Sequence, residues 1–279
     1  MFRKDLLASK RILITGGGSG LGAAMAARFA ELGATLILCG RRIEVLEASA
    51  AKLRQAGAAN VATHGCDLRD ASAVETMLDA IWQVGPLDVL VNNAAATFIA
   101  QSERLSARAA DAILAPTLHG ALYCTLGAGR RWIDAQHAGV VLSILSTSVR
   151  TGRAFTLPSA MAKAGLEAMT KSLAVEWGSK NIRLVAIAPG PFPTEGAWRQ
   201  LMPASRSKAS APAGRVPLGR VGQAPELANL AAYLISDEAG YMSGETMAID
   251  GAAHLRTSGA EDLLEWSEED WQAHRARRP

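Results

Sequence analysis

Residues 12–22 read Ile12-Leu13-Ile14-Thr15-Gly16-Gly17-Gly18-Ser19-Gly20-Leu21-Gly22, and Ala23-Ala24-Met25-Ala26-Ala27-Arg28-Phe29-Ala30 follows at once. An apolar strand therefore feeds a glycine-rich turn that opens directly into a helix. The first N–H groups of a helix have no intrahelical partner, and its dipole is positive at that end. A turn without bulky side chains lets a diphosphate settle there. Glycines at 16, 20 and 22 permit the turn, the close ligand approach and the close helix–strand packing. Gly18, Ser19 and Leu21 complete the candidate binding turn. No Gly-Lys-Ser/Thr follows, which argues against a phosphate-transferring P-loop.

The rest of the chain alternates strand-like and helix-like segments. Short apolar strands are expected at Thr35–Cys39, Val61–Cys66, Leu87–Val91, Gly139–Leu145 and Arg183–Ala188. Helices are expected at Arg42–Ala56, Ala71–Val84 and Pro158–Trp177, with a long helical region from Ser106 to Ala135 that Pro116 should kink or divide. Strands apolar throughout and separated by helices predict an α/β fold, a doubly wound, mostly parallel sheet of about seven strands. With 279 residues, one large domain spanning 1–279 is expected. The polar, proline-containing stretch at about 193–217 follows the carboxyl end of a strand, where ligands bind in such sheets, and reads as a lid-like insertion. Residues from about 252 to 279 form a C-terminal extension.

Composition removes several alternatives. The net charge of +3 is small and the basic residues are scattered, apart from Arg275, Arg277 and Arg278 at the end, so nucleic-acid binding is not expected. No apolar run approaches the ~18 residues that span a bilayer, so no membrane anchor is expected. Cys39, Cys66 and Cys124 lack metal-ligand spacing, which predicts no metal and fits reduced thiols in a cytoplasmic setting. The opening Met1-Phe2-Arg3-Lys4-Asp5 has no apolar signal-peptide core.

The second strand ends Cys39-Gly40-Arg41-Arg42. A carboxylate there would bind the adenosine ribose hydroxyls and repel a 2′-phosphate; its absence beside two guanidiniums favours NADP(H), with Arg41 on the phosphate. The alternative for both arginines is a solvated helix start. Asp67 ends the third strand and is placed to accept from an adenine amino group, or else to cap the following helix.

These residues together resemble the short-chain dehydrogenase/reductase family over nearly the whole chain. Thr15–Gly22 matches its TGxxxGxG, Asn92-Asn93-Ala94-Ala95 its NNAG, Lys163 the lysine of YxxxK, and Pro189-Gly190 the turn after the sixth strand. A closer likeness is to 2,4-dienoyl-CoA reductases, through Pro158–Gly165, Ser172–Trp177, Pro189-Gly190-Pro191 with Thr194-Glu195-Gly196, Glu226–Ala231 and the tail from Ser258-Gly259 through Trp271. The resemblance implies a Rossmann-type fold and a homotetramer whose interface includes the Pro116–Ala135 and Pro158–Trp177 helices. It also implies roles. Lys163 would hold the nicotinamide ribose hydroxyls and favour an anionic intermediate. Asn93, with Ala94 and Ala95, would brace the sheet beside the nicotinamide, and Leu68 would follow Asp67 along the adenine. Pro189, Gly190 and Phe192 would offer backbone to the carboxamide, with the Thr194 hydroxyl nearby. Arg69 would be associated with coenzyme A.

One departure bears on the chemistry. The family's tyrosine, four residues before the lysine, is Ser159 here. The tyrosine that mitochondrial-type dienoyl-CoA reductases carry eleven residues earlier is Ser148. A helix position often held by Asn or Asp is Thr117, whereas Ser146 matches the catalytic serine. Aliphatic hydroxyls are poor proton donors to an alkoxide but serve as hydrogen-bond donors to a delocalised enolate oxygen. An NADP(H)-dependent oxidoreductase acting on a conjugated enoyl- or dienoyl-CoA thioester is therefore expected. The alternatives are a nucleotide-binding protein without turnover and a carbonyl (3-oxoacyl) reductase with an unusual donor.

Overall fold

The fold was determined as a computed structural model that describes residues 3–194, 196, 200–201, 212–256 and 260–276. Seven strands form one sheet: β1 (Arg11–Thr15), β2 (Thr35–Gly40), β3 (Val61–Gly65), β4 (Val89–Asn92), β5 (Gly139–Ile144), β6 (Ile182–Pro189) and β7 (Thr246–Ile249). Their spatial order is β3-β2-β1-β4-β5-β6-β7. Every pairing is parallel, with Leu13 opposite Ile37 on one side and Leu90 on the other. The chain reverses direction of travel between β1 and β4, which opens a crevice at their carboxyl ends.

Alternation along the strands builds a core on each face. Ile12, Ile14, Leu36, Leu38, Val89 and Val91 point to one side. There they meet α1 (Gly20–Glu31), α2 (Ile43–Gln55) and α8 (Ala224–Ile235) through Met25, Phe29, Leu46 and Leu227. Leu13, Ile37, Leu90 and Val141 point to the other, against α3 (Ala71–Val84) and α5 (Gly120–Asp134) through Leu78, Cys124 and Trp132. Sequence periodicity placed α2 to within a residue at each end and α3 at its observed bounds, whereas α8 was not read from the sequence.

The Ser106–Ala135 region divides as Pro116 required. Helix α4 (Ala107–Leu114) and α5 are separated by one π-helical turn, Ala115–His119, with Pro116 in its first turn. A proline cannot donate to the preceding turn, and a wider turn absorbs the missing bond. Between β5 and β6 lie a single turn, α6 (Ser148–Thr151), and the long α7 (Leu157–Trp177). In the expected lid, residues 195, 197–199 and 202–211 lie outside the described residues. Its far end is packed, because a Cβ on Gly251 would stand 2.6 Å from Val216. In the tail, Ser258, Gly259 and Arg277–Arg278 also lie outside the described residues. The helix α9 (Glu268–Ala276) places Trp271 edge-on to Trp266, with ring centroids 4.8 Å apart. No helix among the described residues is long and apolar enough to cross a membrane.

Candidate active site

The glycine turn has the form the sequence demanded. Gly16 and Gly20 sit at φ +65° and +55°, a region costly for other residues. Helix α1 begins without a side-chain cap from Ser19 and without an acid in its first turn, so its leading N–H groups face the crevice free. A Cβ on Gly22 would stand 2.4 Å from the Gly16 carbonyl oxygen and 2.6 Å from Asn93 Nδ2. Those are contacts no side chain survives, so glycine there is obligatory. These features fit an anionic dinucleotide.

The Thr15 hydroxyl, whose role was not read from the sequence, ties the crevice together. It donates to the Val91 carbonyl at 3.1 Å and accepts the N–H groups of Asn93 and Ala94 at 2.9 and 3.0 Å. Asn93 Nδ2 returns a bond to the Thr15 carbonyl at 2.8 Å. The ends of β1 and β4 are thus locked side by side, with Ala94 against Gly16 and Ala95 exposed at the rim. Across the turn, Thr194 comes to 3.5 Å of a Cβ built on Gly20, so the segment after β6 covers the start of α1.

At the carboxyl end of β2, Gly40 carries no side chain and Arg41 and Arg42 are exposed. Asp67 does not cap α3; Asp70 does, accepting from the N–H groups of Ser72 and Ala73. Asp67 is instead clasped by Arg69, whose Nε lies 2.9 Å and Nη2 2.6 Å from its two oxygens. Hydrogen bonding to Arg69, with the charge of Arg41 adding, holds the Asp67 carboxyl below its usual range. Leu68 is buried and supports the start of α5, since a Cβ on Gly120 would stand 2.7 Å from it.

The opposite end is organised around Lys163. It lies one helical turn after Ser159 on α7 and is 6 % exposed. Its Nζ donates to the Ile144 carbonyl at the end of β5, two residues before Ser146. Burial lowers its pKa to about 8. Ser146 Oγ accepts the Ser148 N–H at 3.3 Å, and α6, which begins at Ser148, packs on α7, which carries Ser159 and Lys163. Among the described residues, the hydroxyls of Ser148 and Ser159 make no hydrogen bond within the chain. Thr117 is placed differently: it is fully buried, and its oxygen accepts the Ala96 N–H at 3.0 Å. Phe192, three residues after Pro189 at the end of β6, packs its ring against Gly222.

Residues 16–254 match the family described as enoyl-(acyl carrier protein) reductase. The chain is a short-chain dehydrogenase/reductase. A probable 2,4-dienoyl-CoA reductase of Bacillus subtilis is 41% identical to it, covering 88% of this chain and 97% of the relative. A short chain dehydrogenase from Bacillus anthracis shares 39% identity with a TM-score of 0.79, over 89% of this chain and 98% of that one. A putative 2-deoxy-d-gluconate 3-dehydrogenase from Agrobacterium tumefaciens, solved with bound NADP, is 28% identical with a TM-score of 0.83, over 91% and 100% of the two chains. As a short-chain dehydrogenase/reductase this chain is an oxidoreductase, and the family binds a nicotinamide cofactor. Its three tyrosines are Tyr123, Tyr233 and Tyr241, none of them at 148 or 159. The first two pack on the core layers and the third is on the surface.

Proposed function

We propose that this short-chain dehydrogenase/reductase uses NADP(H) to reduce a conjugated enoyl- or dienoyl-CoA thioester. The observation that carries this reading is the serine at 159, one turn before a buried lysine and grouped with two further serines. A ketone reductase needs a proton donor of matched pKa for an alkoxide. A conjugated thioester needs something else: donors aimed at an oxygen that becomes an enolate while hydride goes to carbon.

When bound, the nicotinamide supplies that hydride. The chain's own residues do the rest. Ser148 and Ser159, whose hydroxyls are uncommitted, donate to the thioester oxygen, and Ser146 orients Ser148 through its backbone. Lys163, cationic below about pH 8, holds ribose hydroxyls and adds positive charge beside the developing anion. Water protonates carbon. Thr117 fixes the loop after Asn93 through the Ala96 N–H, and Asn93 with Ala94 and Ala95 braces the crevice. The diphosphate rests on Gly16–Gly22. The adenosine 2′-phosphate meets Arg41, which faces no acid on β2. Asp67 and Leu68 flank the adenine, while Pro189, Gly190, Phe192 and Thr194 line the carboxamide side.

The reading draws support from the B. subtilis relative's name for substrate class and from the NADP in the Agrobacterium structure for cofactor. Arg69 would leave Asp67 to meet a coenzyme A phosphate. We place the protein in the cytoplasm, consistent with three buried, unpaired cysteines. We assign it a homotetramer whose interface includes the 116–135 and 158–177 helices, with Met161 and Val175 of α7 exposed to solvent. Stopped-flow turnover of a dienoyl-CoA by Ser146→Ala and Ser159→Ala tests the oxyanion assignment. Each should slow turnover with NADPH affinity unchanged, and wild-type rates in both would refute it.

A further inference from the structure

The turn after β7 holds a buried carboxylate with an imidazole stacked in line behind it. Asp250 Oδ1 accepts the Ala252 N–H at 3.0 Å, while Oδ2 takes the His254 N–H at 2.8 Å and His254 Nδ1 at 2.7 Å. On the far side of the ring, His254 Nε2 lies 3.2 Å from Arg150 Nη1, and Arg150 Nη2 donates to the Thr246 carbonyl at 3.1 Å. A guanidinium only donates, so Nε2 accepts. The imidazole is then neutral with its proton on Nδ1, donating to Asp250 and accepting from Arg150. The His254 side chain is 11 % exposed and that of Asp250 4 %, which shields both bonds from competing water.

Both ends of this relay reach the candidate site. Arg150 belongs to α6, two residues after Ser148. Asp250 packs on the turn after β6 so closely that a Cβ on Gly190 would stand 2.4 Å from its own Cβ. The Thr147 N–H, at the start of α6, donates to the Pro189 carbonyl at 3.2 Å and closes the ring of contacts. Helix α6 is a single turn of four residues, too short to hold its form unaided. Among the described residues, Arg150 makes the side-chain hydrogen bonds that run from α6 to the start of β7 and to the turn after it. The turn it grips is itself held against strain, because Ala252 sits at φ +69° under the Asp250 carboxylate.

We infer that Arg150, His254 and Asp250 form a positioning relay that sets the Ser148 hydroxyl in the oxyanion site, with His254 as a positioning residue rather than a catalytic one. This rests on the assignment of Ser148 as a donor to the substrate oxygen. The relay couples the C-terminal turn to the reaction, so replacing the ring should move turnover more than binding. Displacing a reacting group by a fraction of an ångström to 1 Å costs roughly ten- to a hundredfold in rate.

The test compares His254→Phe, which keeps a ring but loses both hydrogen bonds, with His254→Gln, whose amide has a donor for Asp250 and an acceptor for Arg150. Arg150→Met cuts only the link to α6 and serves if His254→Phe does not fold. Two readouts are taken on the full-length protein: kcat and KM with a dienoyl-CoA and NADPH, and amide hydrogen exchange of residues 147–152. In His254→Phe and Arg150→Met, kcat should fall about tenfold or more with KM for NADPH within about twofold, and exchange at 147–152 should quicken. His254→Gln should recover most of both. Wild-type kcat in His254→Phe and Arg150→Met would overturn the relay. If the unmutated protein reduces no thioester, the proposed substrate class fails by that result, and exchange alone judges the relay. Faster exchange in the disrupted variants, restored by Gln, supports it; unchanged exchange overturns it.

Discussion

Lys163 carries a charge into the core, and removing that charge should stabilise the protein while disabling it. Its pKa falls from the ordinary 10.5 to about 8 because burial disfavours the ammonium. At 1.36 kcal/mol per unit, the folded chain bears a cost of about 3 kcal/mol at neutral pH. Lys163→Met keeps the length of the side chain and removes the cost. It leaves the buried Ile144 carbonyl without its charged donor, a loss of about 2 kcal/mol. The variant should therefore be about 1 kcal/mol more stable than the parent at pH 7, measured by urea unfolding at matched concentration without cofactor. The pH dependence has a definite sign. Below about pH 8 folded and unfolded chains both hold the proton, and the cost is fully present. Between about 8 and 10.5 the unfolded chain holds more protons, so the parent gains stability as pH rises. The advantage of the variant should shrink across that window and reverse above it. A variant less stable than the parent at pH 7, with a difference that does not change up to pH ~10, would refute the burial argument.

Three further outcomes follow from the same geometry. Arg41→Ala should weaken NADPH binding by roughly 1–3 kcal/mol and leave NADH nearly unaffected, as read by calorimetry; equal loss for both would remove Arg41 from the 2′-phosphate. Gly22→Ala forces a methyl to 2.4 Å of the Gly16 oxygen, so it should destabilise the fold by about 1–3 kcal/mol and abolish dinucleotide binding; normal binding and an unchanged melting temperature would contradict the close-packed turn. Turnover should decline as pH rises through about 8, where Lys163 loses its proton, and a flat profile from pH 7 to ~9.5 would show that its charge is not used.

Much of the fold was legible because burial on both faces leaves so few options for a run such as Ile12–Ile14 or Val89–Val91. Glycines at 16, 20 and 22 located the crevice for the same reason: each position tolerates no side chain, either through its φ or through a neighbour. Pro116 announced a break but not its form, since a missing N–H is absorbed equally by a kink, a gap or a wider turn. The acids near α3 show where local reading falters. Asp67 and Asp70 both precede the helix, and only the register of its first turn makes Asp70 the cap and leaves Asp67 to Arg69. Thr15 looked like part of a strand, yet its hydroxyl joins three backbone groups across β1 and β4. The contact of Arg150 with His254 spans 104 positions, and nothing local in either segment points to the other. The family resemblance pointed to Ser146, Ser148, Ser159 and Lys163, and the fold adds the bonds of Ser146 to Ser148 and of Lys163 to Ile144, whereas the burial of Thr117 under Ala96 required the π-helical turn.

The most direct measurement of the central claim follows NADPH oxidation by the purified protein with paired substrates of one chain length: a 2,4-dienoyl-CoA, the enoyl-CoA and the 3-oxoacyl-CoA. Consumption of NADPH with a conjugated thioester, and little with the 3-oxo compound, is the expected result. Brisk reduction of the 3-oxo substrate with no activity on the conjugated thioesters would contradict the assignment, and so would silence on all three.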